Sequence, residues 1–325
     1  LLMHSIVFER FGDPAEVLTL AERERPAPGP GQALVRMILS PIHNHDLMTI
    51  AGTYGIKPPL PAIGGTEALG VVEELGAGVE NLQVGQRVIG GGQQTWADYY
   101  LVDARHARPV SDGIDDETAC QLIAMPLSAK MVLADLGLQR GDWLVQNGAS
   151  GAVGRLLSRF GAEKGVNVLS LVRRDAAVAE LAAAGITNVV STEQPGWEAR
   201  ARDLVGDGTI RAGLDSVGGD GPAQLARLVA DGGEIVIFGA LSGQPIRIEP
   251  SVAIFQQITI RGFWGAKPGL APDVIGGLLE EVIADAADGK LTLPIDATLP
   301  LDRIAEAVSA SNEPGRKGKV VLRGR

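Results

Sequence analysis

The stretch Leu144-Val-Gln-Asn-Gly148-Ala-Ser-Gly151-Ala-Val-Gly154 constrains this chain more than any other. An apolar run enters a turn with glycines at G-x-x-G-x-x-G spacing, and a segment with helical periodicity follows. Glycine lets a backbone approach a pyrophosphate closely, and the unpaired N–H groups that open the next helix favour its negative charge. In a chain with 43 glycines such a triplet arises easily by chance. Its place between a strand and a helix makes it a candidate dinucleotide site, with a purely structural turn as the alternative. The candidate contacts are Asn147, Gly148, Ser150, Gly151, Ala152, Val153 and Gly154, joined by Phe238 and Gly239 at the end of a later strand.

The surroundings of the turn support that reading. Predicted strands Trp143–Asn147, Asn167–Val172, Asn188–Ser191, Ala212–Ser216 and Glu234–Phe238 alternate with predicted helices Ala152–Lys164, Ala176–Ala184 and Pro222–Leu228. Such alternation predicts a doubly wound α/β unit, a parallel sheet with helices on both faces. About 20 residues beyond Gly154, where the second strand ends over an adenosine ribose, the chain reads Leu171-Val-Arg173-Arg174-Asp175. No acidic residue precedes Arg173 in that strand, so the tip offers guanidinium groups suited to a 2′-phosphate, and NADPH is the expected cofactor. Asp175, accepting from a free 2′-hydroxyl, is the alternative.

Residues 3–122 read differently, as short β segments punctuated by Gly and Pro: His4–Glu9, Ala33–Ser40, Ala68–Leu75, Arg87–Ile89 and Trp96–Val102. A helix is predicted from Asp116 to Leu136, ended by Gly137. Beyond the alternating region come a candidate strand Thr259–Phe263, helices Val274–Ala287 and Ile304–Ser311, and a closing strand Lys319–Leu322. The length of 325 residues fits two domains. We expect boundaries at residues 1–122 with 266–325, and 123–265.

Charge and composition remove several functions. With 29 basic against 39 acidic residues and no basic run, nucleic-acid and membrane-surface binding are not expected. No apolar run reaches the ~18–20 residues that span a bilayer, and no basic stretch followed by an apolar core opens the chain, so a soluble, unprocessed protein is expected. A single cysteine, Cys120, fits a reducing, cytoplasmic setting and cannot build a Cys-rich zinc site. The metal-ligand candidates are His43, His45, Asp46 and Glu67, the two histidines at i, i+2 on a presumptive strand face. A structural or pocket-lining role is preferred for them. No G-x-S-x-G nucleophile elbow is visible, so the chemistry is expected from a nicotinamide assisted by hydrogen-bonding groups.

Two further stretches carry a family resemblance. Gly70-Val-Val-Glu-Glu-Leu-Gly-Ala-Gly-Val-Glu-Asn-Leu-Gln-Val-Gly-Gln-Arg-Val88 and the closing Gly318-Lys-Val-Val-Leu322, together with the glycine turn, resemble the medium-chain dehydrogenase/reductase superfamily over essentially the whole chain. Where zinc alcohol dehydrogenases of that superfamily carry Gly-His-Glu, this chain has Gly65-Thr66-Glu67, and the zinc-ligand positions read His43, Thr66 and about Ala124. The resemblance therefore implies a zinc-free branch. Ser40-Pro-Ile, Asp46–Gly55, Pro58–Glu67 and Arg261-Gly-Phe-Trp264 are similar to the mitochondrial-type 2-enoyl thioester reductases.

That resemblance implies a chaperonin-like β-barrel catalytic domain beside the Rossmann domain, and NADPH-dependent reduction of the C=C of a trans-2-enoyl thioester on coenzyme A or acyl carrier protein. Tyr54 takes the place of the catalytic tyrosine, Trp264 lines the substrate site, and Ser128 lies near the cofactor. A quinone or enone reductase is the nearest alternative, and an NADPH-binding protein without turnover a third. The branch also implies a homodimer, with Thr259–Phe263 as the joining edge strand, and a carrier-protein dock near Arg316, Lys317 and Lys319. Two departures matter: the branch's I-N-P-S-D reads Ile42-His43-Asn-His45-Asp46 here, placing an imidazole where an asparagine meets the substrate, and Gly265-Ala-Lys-Pro268 follows Trp264 where the family often continues with another large aromatic.

Overall fold

The computed structural model describes residues 1–325. In chain order its first part holds strands β1 (Leu2–Phe8), β2 (Thr19–Glu24), β3 (Gln32–Pro41), β4 (Ala62–Ile63), β5 (Leu69–Leu75), β6 (Arg87–Ile89), β7 (Tyr99–Asp103) and β8 (Arg108–Pro109). Three short helices accompany them: α1 (Pro14–Val17), α2 (Asn44–Ala51) and α3 (Asp116–Ala119). The chain then forms α4 (Ser128–Leu136), β9 (Trp143–Gln146), α5 (Ala152–Glu163), β10 (Asn167–Val172), α6 (Asp175–Ala183), β11 (Val189–Ser191) and α7 (Trp197–Val205). It continues through β12 (Ile210–Asp215), α8 (Gly221–Ala226), β13 (Glu234–Ile237), α9 (Pro250–Phe255), β14 (Thr259–Gly262) and α10 (Pro272–Ala287). The tail supplies β15 (Ile295–Pro300), α11 (Ile304–Ser311) and β16 (Lys319–Arg323).

These elements make two compact units, Leu1–Ala124 with Leu279–Arg325, and Met125–Leu278. The first unit contains an antiparallel sheet in the order β2-β1-β4 and a larger one in the order β15-β16-β3-β5-β6-β8, with β7 also paired to β3. Its core gathers Phe8, Met37, Trp96, Val320 and Leu322, all buried. The tail thus completes the first unit's sheet, because β16 pairs antiparallel with β3 and parallel with β15.

The second unit is a six-stranded sheet in the order β11-β10-β9-β12-β13-β14, parallel throughout. This is the doubly wound order, whose direction reverses between β9 and β12, where ligands sit beyond the carboxyl ends of the strands. The central strands are buried on both faces, so they read as unbroken apolar runs rather than alternating ones.

Two local expectations are corrected. The predicted helix Asp116–Leu136 is three pieces: α3, a π-helical turn Ile123–Leu127 and α4. Pro126 has no N–H to give and its ring crowds the preceding turn, which is relieved by the wider π geometry. His43 and His45 do not share a strand either. His43 is the N-cap of α2, and its backbone N–H donates to Asp46 Oδ2 at 2.9 Å, which starts the helix three residues ahead of that carboxylate. Gly52, left-handed at φ 81°, ends it.

Candidate active site

In the first unit a polar cluster is built around the start of α2. Gly64 and Gly65 bring the next residues tightly against Trp96: a Cβ on Gly64 would lie 2.4 Å from the indole, and Gly65 has φ 95°. Thr66 and Glu67 are thereby set beside α2. Ser40 Oγ donates to the Glu67 carbonyl at 2.7 Å and fixes the strand behind them.

Glu67 is buried and shares a 2.7 Å hydrogen bond with buried His43 Nε2. Its other oxygen accepts from the N–H groups of Ile123 (2.7 Å) and Ala124 (3.2 Å), donors exposed by the break between α3 and α4. Burial pushes the Glu67 carboxyl up to about 7, against the pull of those two N–H groups. Burial likewise holds His43 well below its ordinary value, helped by the charge of Lys319. Lys319 is itself brought down to about 8 by burial and by Arg316.

His45 stacks on His43 with ring centroids 5.1 Å apart and lies 5.8 Å from the Tyr54 ring. Its Nε2 meets Thr66 Oγ1 at 2.7 Å, and that hydroxyl donates to Asp46 Oδ1 at 2.9 Å. Tyr54, three residues beyond α2, is partly buried. The structure therefore gathers His43, His45, Asp46, Tyr54, Thr66 and Glu67 into one cluster. Of these, Thr66 was visible in the sequence only as a missing histidine, and the placement of Lys319 beside Glu67 had no local signal. Of the cationic run proposed as a carrier dock, Lys317 alone is exposed; Arg316 and Lys319 are partly buried.

In the second unit the glycine turn joins β9 to α5. Gly148 has φ 59°, and a Cβ on Gly154 would lie 2.7 Å from the Ala149 backbone, so that glycine lets α5 pack onto the turn. Gly151, the N-cap of α5, differs: an added Cβ would meet only the Gly148 carbonyl oxygen, at 3.6 Å. Gly151 and Ala152 are exposed at the N-terminus of this 12-residue helix. The open, donor-rich cradle fits a dinucleotide pyrophosphate. Gln146 braces it from below, donating to Gly154 O at 2.8 Å and Ser170 Oγ at 3.1 Å.

Asn147 is buried and its side chain is engaged at the switch point. It donates to Asp215 Oδ1 at 2.6 Å and accepts from the Ser216 N–H at 2.8 Å, joining β9 to β12. Gly239 packs against Ser216, and Phe238 lies 6.0 Å from Phe263. Ser128 opens α4, and a Cβ on Gly265 would lie 3.1 Å from its Oγ, so it adjoins the residue after Trp264. Trp264 is partly buried, with Lys267 Nζ 5.6 Å from its ring centroid. At the tip of β10, Arg173 and Arg174 are exposed; Arg174 pairs with Glu180 at 3.3 Å. Cys120 is buried, its thiol pushed up by burial, which fits packing rather than nucleophilic work.

Two family models match. Residues 29–112 match the alcohol dehydrogenase GroES-like domain, and residues 152–282 match the zinc-binding dehydrogenase domain. The chain is 30% identical to the mitochondrial enoyl-[acyl-carrier-protein] reductase of Bos taurus, over 98% of this chain and 88% of that protein. Among solved structures it is similar to a candidate NADPH:quinone reductase from Bacillus thuringiensis, with TM-score 0.92 and 27% identity over all of both chains. It also shares the fold of a mutant enoyl thioester reductase from Candida tropicalis, with TM-score 0.87 and 24% identity over 99% of this chain and 100% of that one. The donor set does not fit the metal that one family description names. The clustered His43, His45, Asp46 and Glu67 are not arranged to hold a metal ion, His43 is engaged by Glu67, and threonine stands at position 66. From the sheet order, the glycine turn and likeness along its whole length, the chain belongs to the medium-chain dehydrogenase/reductase superfamily and is a relative of the mitochondrial enoyl-[acyl-carrier-protein] reductases.

Proposed function

We propose that this protein is an NADPH-dependent reductase acting on the activated C=C of a trans-2-enoyl thioester. The observation that carries the reading is Tyr54 beside the imidazole pair of a half-buried polar cluster, in a chain similar over its length to an enoyl-[acyl-carrier-protein] reductase. In this reading residues 125–278 bind the dinucleotide and the remainder forms the catalytic unit. The Gly148–Gly154 turn with Ser150, Ala152 and Val153 holds the pyrophosphate, and Arg173 with Arg174 takes the 2′-phosphate. Ser128, Phe238 and Gly239 border the cofactor, Asn147 fixes the strand ends beneath it, and Trp264 lines the acyl site.

When bound, NADPH supplies the hydride that reaches C3. The thioester carbonyl oxygen then gathers enolate charge, and C2 needs a proton. The Tyr54 hydroxyl donates to that oxygen and stabilises the charge as it develops. His43, held by Glu67, offers a fixed polar edge where the branch has an asparagine. The proposed chemistry uses no metal, a reading supported by the engagement of His43 with Glu67 and by threonine at position 66. A homodimer formed at β14 belongs to the same reading: β14 is a sheet edge, and Ile260, Ile254 and Phe255 are exposed there and on the adjacent α9. A reducing, cytoplasmic setting is also proposed, on the single unpaired thiol.

The test is NADPH oxidation, followed by absorbance, with a short trans-2-enoyl-CoA and with a quinone, for wild type and Tyr54→Phe. Thioester turnover that falls by the order of 10²-fold in the variant is expected of a positioned acid. A second reading, quinone or enone reduction, is favoured by the likeness to the Bacillus protein. It predicts quinone turnover that is indifferent to Tyr54. NADPH binding with neither activity would mark a non-catalytic binding protein.

A further inference from the structure

The proton that Tyr54 gives away must be replaced, and the cluster contains a side chain arranged to replace it. Thr66 has one hydroxyl hydrogen, and it is donated to Asp46 Oδ1 at 2.9 Å. In its 2.7 Å contact with His45 Nε2, Thr66 is therefore the acceptor, so Nε2 carries a hydrogen. The second ring nitrogen, Nδ1, is left as the site where a proton comes and goes. Asp46 cannot swing away: its other oxygen accepts from the His43 backbone N–H at 2.9 Å, and its side chain is only 1% exposed. A buried carboxylate acting through a hydroxyl thus fixes the tautomer and the orientation of His45, the arrangement by which an acid–base imidazole is held in place.

The surroundings give the proton a route. The His45 side chain is 30% exposed, whereas the His43 ring stacked on it is 3% exposed and engaged by Glu67. Only the outer imidazole can exchange readily with solvent. Its ring lies 5.8 Å, centroid to centroid, from that of Tyr54, a span suited to direct or single-water transfer.

We propose that His45, oriented by Thr66 and Asp46, is the positioning residue that restores the proton of Tyr54 in each turnover. The inference rests on the enoyl thioester reading above. Hydride from NADPH forms the C3–H bond and the enolate; the Tyr54 O–H bond breaks as its proton passes to the substrate and is used at C2. The phenolate takes the proton from His45 Nδ1, and neutral His45 recovers one from solvent. The sum is one hydride and one proton added across the C=C.

The experiment measures kcat and KM with NADPH and a short trans-2-enoyl-CoA for wild type, His45→Ala, Thr66→Val and Thr66→Ser, each also with added imidazole, and NADPH affinity by fluorescence. We expect His45→Ala to lose about 10²-fold in kcat. Its KM and NADPH affinity should stay within about twofold, as for a group that acts in the chemical step alone. Imidazole should recover about tenfold of that loss, which no packing role of His45 would allow. Thr66→Val should fall about tenfold, and Thr66→Ser, which keeps the hydroxyl, should match wild type. If His45→Ala folds poorly, the two Thr66 variants decide alone. An active wild type with His45→Ala or Thr66→Val equally fast overturns this inference and leaves the enoyl reductase reading intact. A loss in His45→Ala that imidazole does not relieve also overturns it. A wild type that does not reduce the thioester overturns both.

Discussion

Glycines 151 and 154 sit three residues apart and do opposite things. Gly154 is required by the fold, since a methyl group there would press into the Ala149 backbone at 2.7 Å. Gly154→Ala is expected to cost about 1–3 kcal/mol, read as a lower urea midpoint. Gly151 has extended backbone angles and open space, so Gly151→Val should leave the midpoint unchanged while weakening NADPH binding by at least about tenfold in a fluorescence titration. Glu67 makes a second residue-scale case. Its folded value of about 7 lies above the 4.5 of the free group, so the folded protein holds a proton that the unfolded chain has released. That contribution is complete below about pH 4.5 and is lost as the pH rises through 7. The stability of Glu67→Gln relative to wild type should therefore grow between those pH values, by the order of 2 kcal/mol in urea unfolding.

At the scale of elements, the outer strand β14 is held by more than its ladder. Arg261 donates to Glu234 on β13 at 2.8 and 3.2 Å and pairs with Asp135 of α4 at 2.6 Å. These two carboxylates push the guanidinium above its ordinary range. One side chain thus ties strand, neighbouring strand and covering helix together. Arg261→Ala should lower stability by about 1–3 kcal/mol, since it leaves Asp135 and Glu234 facing each other without their cation. Denaturant unfolding monitored by circular dichroism would measure it. Elements were readable where burial wrote a clear pattern: the doubly buried strand β10 has the expected bounds Asn167–Val172, and α11, with one buried stripe, the expected bounds Ile304–Ser311. Those missed are polar or marginal. β2 (TLAERE) is an exposed edge, α7 (WEARARDLV) buries only Ala201, and α9 buries no residue. Their structure comes from neighbours rather than from their own pattern.

At the scale of the molecule, two adjacent exposed apolar residues bear on assembly. Phe255 is 79% exposed and Ile254 64%, on the helix that leads into the free edge of the six-stranded sheet. If that edge joins two copies, light scattering should report twice the 33.9 kDa chain mass, and Ile254→Ser with Phe255→Ser should return the monomer without loss of secondary structure. A wild-type monomer would remove the edge from consideration as an interface.

The sequence by itself determined the dinucleotide unit, because a parallel sheet and its phosphate turn are specified by contiguous signals: apolar runs, a glycine triplet at fixed spacing, a helix start. It also brought Tyr54, Trp264 and His43 forward, through resemblance rather than through local physics. What only tertiary structure decided is who meets whom. His43 and His45, expected on one strand face, lie at the head of a helix because Asp46 caps it. Thr66 orients His45 from 21 residues away, and Glu67 finds its N–H donors 56 and 57 residues downstream, where Pro126 breaks a helix that periodicity had drawn as continuous. Such contacts arise from packing between distant segments, and no window along the chain contains both partners.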